Sequence, residues 1–384
     1  MSLSAIDKRH RDLRRMRESR QNERGGYERF CKEIGQIFSD PSVSLQDFSV
    51  RRLFESLVPD GRELIDLHFN TNGGGGYRRV AEAVNTAYFT ETQGQYVYNA
   101  ILRSYDDPQF IGDELFTTIP SNERSERVPG VSEFGDDVEA VNEGKPYPNA
   151  SVAETWVQTP DTIKRGLSCD ITKEVVFFDK TGLILQRCAN IGRSVRINKE
   201  RRQLDVACGI STVFRRNGGA AQATYAGDNT VASTPLVDYT SLDAADTVLS
   251  SLTDPYTGLL INVVATDLLV PTALINTANR IVRAMMTGVT TSGRETRVGD
   301  NSLNNPRRVL SNAYVKERTS SATSWFQGDF KRALVYMENW PLRVDNEGAN
   351  GPRAFDSDIV ERYKASEMGA AGVMERLFVQ KCTA

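Results

Sequence analysis

Asp179 to Cys208 is a run of thirty residues without a proline, and its apolar side chains fall on one stripe. Ile184, Cys188, Ile191 and Val195 recur every three or four positions, while Gln186, Asn190 and Arg193 face away. That is the period of an amphipathic helix. Asp179 or Thr181 can cap its start, and Gly209 marks its end. Thirty residues at ~1.5 Å each give a rod of roughly 45 Å. Such a rod is long for a globular helix, and it suits a spine across which sheets are laid.

The rest of the chain supplies material for those sheets. A strand is expected at Leu167–Val176, just before the helix. After it, Asn217–Ser233 is a small-residue loop region, and Leu242, Ala245, Leu249 and Leu252 mark one face of a helix. The turn Asp254–Gly258 leads into an apolar strand, Leu259–Ala265, and a helix opens near Pro271, where no intrahelical N–H is lost. This strand-and-helix order indicates an α/β-type layer over Gly209–Asn305. Beyond it, strands are expected at Val309–Lys316, Arg332–Val344, Ile359–Ser366 and Gly372–Lys381. The fold class is α+β.

Between Pro129 and Thr159 the chain makes a hairpin-like excursion, rich in Gly, Pro and acidic residues and poor in core residues. Its second arm alternates, Val152, Glu154 and Trp156 against Ala153, Thr155 and Val157, which is a strand signal. The tip is Asn142-Glu143-Gly144-Lys145-Pro146-Tyr147-Pro148. A domain seldom carries so long an excursion unused, so it is expected to find its core on another subunit. Lys145, Pro146, Tyr147 and Trp156 are its candidate inter-subunit residues.

The N-terminus reads differently. Lys8–Arg29 holds nine basic side chains against four acidic ones, and between Lys8 and Gly26 only Leu13 and Met16 are clearly apolar. Such a segment is expected to bury no stripe, and to be a solvated helix or to order only on a partner. Arg11, Arg14, Arg15 and Arg17 are its candidates for facing DNA, since flexible cationic segments bind polyanions by releasing counterions. Tyr27, Phe30, Cys31, Ile34, Ile37 and Phe38 then share one helical face, ended by Ser39-Asp40-Pro41. A second amphipathic helix follows with Val50, Leu53, Phe54 and Leu57 inward and Pro59-Asp60-Gly61 as its stop; Ser44 and Asp47 have nearly capping-box spacing.

Composition narrows the function. A length of 384 residues allows two or three domains at roughly 150 residues each, and a net charge of −3 leaves nucleic-acid contact to local patches. The five cysteines have no C-x-x-C spacing, and His10 and His68 are the only histidines, so no metal, cofactor or catalytic triad is assigned. Gly73–Gly76 is followed by Tyr77-Arg78-Arg79 instead of the Gly-Lys-Ser/Thr that phosphate binding needs. No G-x-S-x-G elbow occurs. The charged start, Asp7 to Arg20, is no signal peptide. Gly258–Ile275 is interrupted by Asn262, Asp267 and Pro271 and cannot be a membrane span.

Four segments together resemble one family, the major capsid proteins of tailed double-stranded-DNA phages with the Hong Kong 97 type of fold. They are Thr159–Gly209, Asp267–Ile281 (DLLVPTALINTANRI), Trp325–Val344 (WFQGDFKRALVYMENWPLRV) and Phe355–Lys381, in the family's order. The similarity runs from about Ser44 to Lys381. It implies a basic N-terminal segment over residues 1–43, an N-terminal arm and the start of a peripheral domain over 44–128, and an extended loop over 129–159. It further implies a peripheral domain with its spine helix over 160–208, an axial domain over 209–305, and C-terminal strands returning through both over 306–384.

The resemblance implies a shell subunit and no enzyme. Copies would assemble as hexamers and pentamers into an icosahedral head enclosing double-stranded DNA, in the host cytoplasm and then in the virion. A portal is an expected partner, and scaffolding or cementing proteins are further candidates. The forty residues before the family-like region are short for the N-terminal scaffold of many relatives, so a separate scaffolding protein, or none, is expected. Some relatives join a loop lysine to a neighbour's asparagine; Lys145 with Asn346 or Asn350 supplies those residue types here. Two other functions compete: a DNA-binding structural protein acting through the basic N-terminal helix without forming a shell, and a nucleotide-dependent enzyme.

Overall fold

The computed structural model describes residues 3–21, 23, 25–45, 48–58, 87–106, 109–130, 141, 155–172, 181–255, 258, 260–261, 263–283, 286–291, 294–300, 307–347 and 359–383. Among the described residues four helices come first: α1 (Leu3–Gln21), α2 (Gly26–Ser39), α3 (Val50–Leu57) and α4 (Ala87–Tyr105). In α2 the four-residue spacing of Phe30, Ile34 and Phe38 buries all three. Phe38 meets Phe48 and Tyr96 edge-on, with ring centroids 5.1 and 5.6 Å away. Tyr27 lies on the expected face but stays 40% exposed, because the core begins only at Phe30, one turn later. Helix α3 is capped by Ser49, whose hydroxyl accepts from the Arg52 N–H at 3.3 Å, and not by the Ser44 and Asp47 spacing.

Helix α1 corrects the expectation that this segment buries nothing. His10 and Leu13 are buried, and Met16 packs on the same core. Arg17 continues that side and donates to the Leu57 carbonyl at 2.8 Å. The stripe is real, but two of its members are a histidine and an arginine, which a count of apolar residues passes over.

Next come α5 (Gly112–Leu115), β1 (Thr117–Pro120), β2 (Arg127–Pro129), β3 (Trp156–Gln158) and β4 (Ile163–Thr172). The long helix is α6 (Thr181–Ala207). Its expected stripe is buried and its expected outer residues are exposed. It ends as a Schellman motif: Gly209 has φ 71°, its N–H bonds Val206 O at 3.1 Å, and Ile210 N–H bonds Asp205 O at 2.8 Å. Those bonds satisfy carbonyls that the helix end would orphan.

The remaining elements are β5 (Thr212–Arg216), β6 (Gln222–Ala223), β7 (Thr230–Val231), α7 (Tyr239–Ser250), β8 (Asp267–Val270), α8 (Ile275–Arg283), β9 (Met286–Thr291), β10 (Arg294–Asp300), β11 (Arg308–Ser311), α9 (Ala313–Thr319), β12 (Trp325–Gly328), α10 (Phe330–Ala333), β13 (Leu334–Glu347), β14 (Ile359–Val373) and β15 (Val379–Cys382). A five-stranded sheet has the order β11-β8-β12-β15-β7. Every residue of β8 and β12 is buried, as central strands covered on both faces should be. Gly328 has φ 144°, and a Cβ there would collide with the Phe378 carbonyl. A second sheet has the order β1-β13-β14-β4, with β1 parallel to β13.

Four strand assignments move, the first being Leu167–Val176, whose strand β4 starts at Ile163 and is described to Thr172. The apolar run expected at Leu259–Ala265 makes one isolated bridge, Thr253 to Leu260, and the ladder instead takes Asp267–Val270. Val309–Lys316 is split: β11 stops at Ser311, then Asn312 accepts from the Tyr314 N–H at 3.0 Å and caps α9. Gly372–Lys381 is the end of β14, a turn capped by Glu375, and β15. The β9–β10 hairpin was not anticipated; it pairs Arg294 with Thr291 and Asp300 with Met286 around a bulge.

The chain packs as two compact units. Unit 1 comprises residues 1–107, 165–196 and 342–367; unit 2 comprises 108–164, 197–341 and 368–384. The core of unit 1 is built from Phe30, Phe38, Leu53, Tyr96, Ile191 and their neighbours. Unit 2 has one core around Leu204, Phe326 and Phe330, and another around Leu242, Leu268 and Trp325.

Candidate functional site

The two ends of the excursion from Pro129 to Thr159 pair with each other in unit 2. Strands β2 and β3 pair antiparallel, with Arg127 opposite Gln158, Val128 opposite Val157 and Pro129 opposite Trp156. The other edge of β3 pairs with β5, and Val157 is fully buried. Asn217 clamps the same point: its side-chain oxygen accepts from Trp156 N–H and its own N–H donates to Trp156 O, both at 2.9 Å. Asn217 has φ 50°, a conformation asparagine tolerates better than most residues.

Trp156 therefore belongs to the hairpin base. Its half-buried ring carries the Arg127 guanidinium 4.3 Å from its centroid. Beside it, Arg216 of β5 pairs with Glu375 at 3.1 Å, both side chains nearly buried. Burial pushes the Glu375 carboxyl above its ordinary range, against the pull of Arg216. A groove of about 210 Å³ runs alongside, lined by Gln158, Thr159, Asp161, Thr212 and Arg215 among others. Lys145, Pro146, Tyr147 and Asn350 lie outside the described residues, and Asn346 falls near the end of the β13 backbone.

Trp156→Ala should remove the cation–π contact and part of a ring, about 1–2 kcal/mol. Val157 and the Asn217 bonds keep β3 in place, so circular dichroism should show a folded chain with slightly lowered thermal stability. A variant that loses its secondary structure would make Trp156 a core residue instead of a loop anchor.

On α1, Arg11, Arg14 and Arg15 are exposed. Arg14 pairs with Glu18 at 2.9 Å, in solvent, where such pairs are weak. Arg17 is half-buried and committed to Leu57, so it stands apart from the other three. Its position four residues after Leu13 was the signal available in the sequence. Arg20 is tied to Glu33 and Glu23, which raise its pKa.

Apolar surface appears where residue spacing gave no warning. Ile163 and Leu167 on the edge strand β4 are about half exposed, at 51% and 48%. Leu260 and Val264 are 63% and 57% exposed, alternating with buried Ile261, Val263 and Ala265. Single exposed apolar residues are ordinary; neighbouring pairs of them, as on the edge strand β4, favour association. Among the described residues no His, Cys, Asp and Glu side chains group as a metal site, and no helix is long and apolar enough to cross a membrane.

A family model described as phage capsid protein matches residues 156–382, from the hairpin's return strand to β15. No curated protein sequence matches the chain. Among solved structures, a chain of Gordonia phage Cozz is similar over 72% of this chain and 86% of its own, with 12% identity and a TM-score of 0.46. A chain of Mycobacterium phage Bobi is similar over 71% and 90%, with 10% identity and a TM-score of 0.46. The virus-like particle from Pyrococcus furiosus gives 74% and 97%, 10% identity and a TM-score of 0.43.

Proposed function

The chain belongs to the phage capsid protein family, and from that premise we propose that its copies assemble as hexamers and pentamers into an icosahedral head around double-stranded DNA. The observation that carries this reading is the family match itself, which spans β3, the long helix and the five-stranded sheet. A structural subunit also suits a chain with exposed apolar residues on an edge strand and buried ion pairs that hold its fold. In this reading the hairpin lies over a neighbouring copy, α6 is the spine of the peripheral domain, and Lys145 with Asn346 or Asn350 is a candidate covalent link between copies. Electron cryomicroscopy of the expressed protein tests it. Closed particles with five- and six-fold capsomers are expected; filaments or unassembled chains under all salt conditions would refute it.

The DNA side of the proposal rests on Arg11, Arg14 and Arg15, exposed on α1. Replacing all three with alanine should leave shells intact and lower the nucleic acid retained in purified particles, with the larger loss at low salt and a shallower salt dependence, because such contacts are electrostatic and unspecific. If no shells form, α1 is an assembly element. Unchanged nucleic acid at every salt concentration would remove these arginines from DNA contact. A DNA-binding protein that forms no shell is the weaker reading, since the family is one of capsid proteins.

A further inference from the structure

The first half of α6 exposes arginines and no acid. From Thr181 to Lys199 the sequence holds Arg187, Arg193, Arg196 and Lys199 but neither aspartate nor glutamate. Arg196 and Lys199 are buried. Up to Arg196, where α6 belongs to unit 1, the exposed side chains among the described residues are Gln186, Arg187, Asn190, Arg193 and Ser194. Neither Arg187 nor Arg193 has an ion-pair or hydrogen-bond partner among the described residues. By contrast, Arg20, Arg124, Arg318 and Arg362 each hold a carboxylate. Asn190 stands three positions from each of the two free arginines, where an acid would pair with both. Its neutral amide leaves the two charges to add.

The opposite side of the helix is locked. Helix α4 crosses α6 so closely that a Cβ on Gly192 would collide with the Ile101 carbonyl, and the Ser104 hydroxyl donates to the Ala189 carbonyl at 2.6 Å. Ile184, Cys188, Ile191 and Val195 lie in the core of unit 1. The helix cannot roll, so the two arginines stay presented, ~9 Å apart along its axis.

We propose that this face of α6 binds the phosphate backbone of duplex DNA, the polyanion that the proposed head encloses; the inference rests on that reading for its partner. A guanidinium fork meets phosphate oxygens in pairs. The amides of Gln186 and Asn190 and the Ser194 hydroxyl can donate to the same backbone, and none of these contacts reads sequence. Counterion release drives the association. The contact is a second one, on a different helix from Arg11, Arg14 and Arg15.

The test titrates a short fluorescein-labelled duplex with unassembled full-length chain across a salt series and follows anisotropy. Arg187→Gln and Arg193→Gln preserve helix propensity. Each should lower the slope of log affinity against log salt by about one, with the larger loss of affinity at low salt and the same loss on a duplex of different sequence. Arg215→Gln removes an exposed charge from β5, in unit 2, and should leave the slope unchanged. Unaltered binding by both α6 variants would overturn the proposal. An equal loss in Arg215→Gln would also overturn it, by reducing the effect to net charge. A chain that binds poly-glutamate and not duplex DNA through the same two arginines would assign the face to an acidic protein segment instead. No shell is needed for this measurement, so the two readings fail separately. Closed particles together with unaltered binding in the variants would sink only the α6 contact, whereas weakened variants of a chain that never assembles would sink only the shell.

Discussion

Glu200→Ala is expected to destabilise unit 2 by about 3–5 kcal/mol. Glu200 is fully buried, and its carboxylate accepts from donors on two separate segments. The Ile111 and Gly112 N–H groups reach it at 3.0 and 2.8 Å, and the Asn312 amide at 3.2 Å. The first two are orphan donors at the start of α5, and the third holds the residue that caps α9. Alanine would leave buried donors without partners, at about 1–3 kcal/mol each. Glu200→Gln keeps one acceptor oxygen and should cost less than half as much. Urea unfolding of dissociated subunits measures both; a loss below about 1 kcal/mol for the alanine variant would mean that water replaces the carboxylate.

Ile191→Asp should be worse for unit 1. The side chain is 8% exposed and sits mid-stripe between Cys188 and Val195. A carboxylate placed there has no charged partner on the stripe, and burying it costs several kcal/mol, or leaves it protonated with its pKa raised. Insoluble or unfolded protein is expected, and Ile191→Val should be nearly normal. Recovery of soluble, folded Ile191→Asp chain would mean that this face of α6 opens to solvent.

These two residues also mark where the sequence was legible. The first half of α6 buries plain aliphatic side chains at helical spacing, so its stripe could be read directly. In the second half Glu200 and Gln203 are fully buried among hydrogen-bond partners some ninety residues back in the chain, and nothing local announces them. Arg17 lies at helical spacing from Leu13, but its partner, forty residues away, is not visible locally. Helix α9 was mistaken for strand because Val309, Leu310 and Val315 suggest one apolar run, while the break is made by the Asn312 cap. The β9–β10 hairpin carries Thr, Arg and Gly where an apolar alternation would be needed for detection. The hairpin base at Pro129 and Trp156 was found, since alternation and turn composition mark it; its anchoring on Arg127 and Asn217 was not. Buried stripes are local facts, and polar partnerships across the fold are not.

Sedimentation velocity of the purified full-length chain across protein concentration and salt tests the central claim most directly. A shell subunit should show discrete large species, rings of five or six copies and closed particles, with little monomer at high concentration. A single monomeric boundary at every concentration and salt would contradict it.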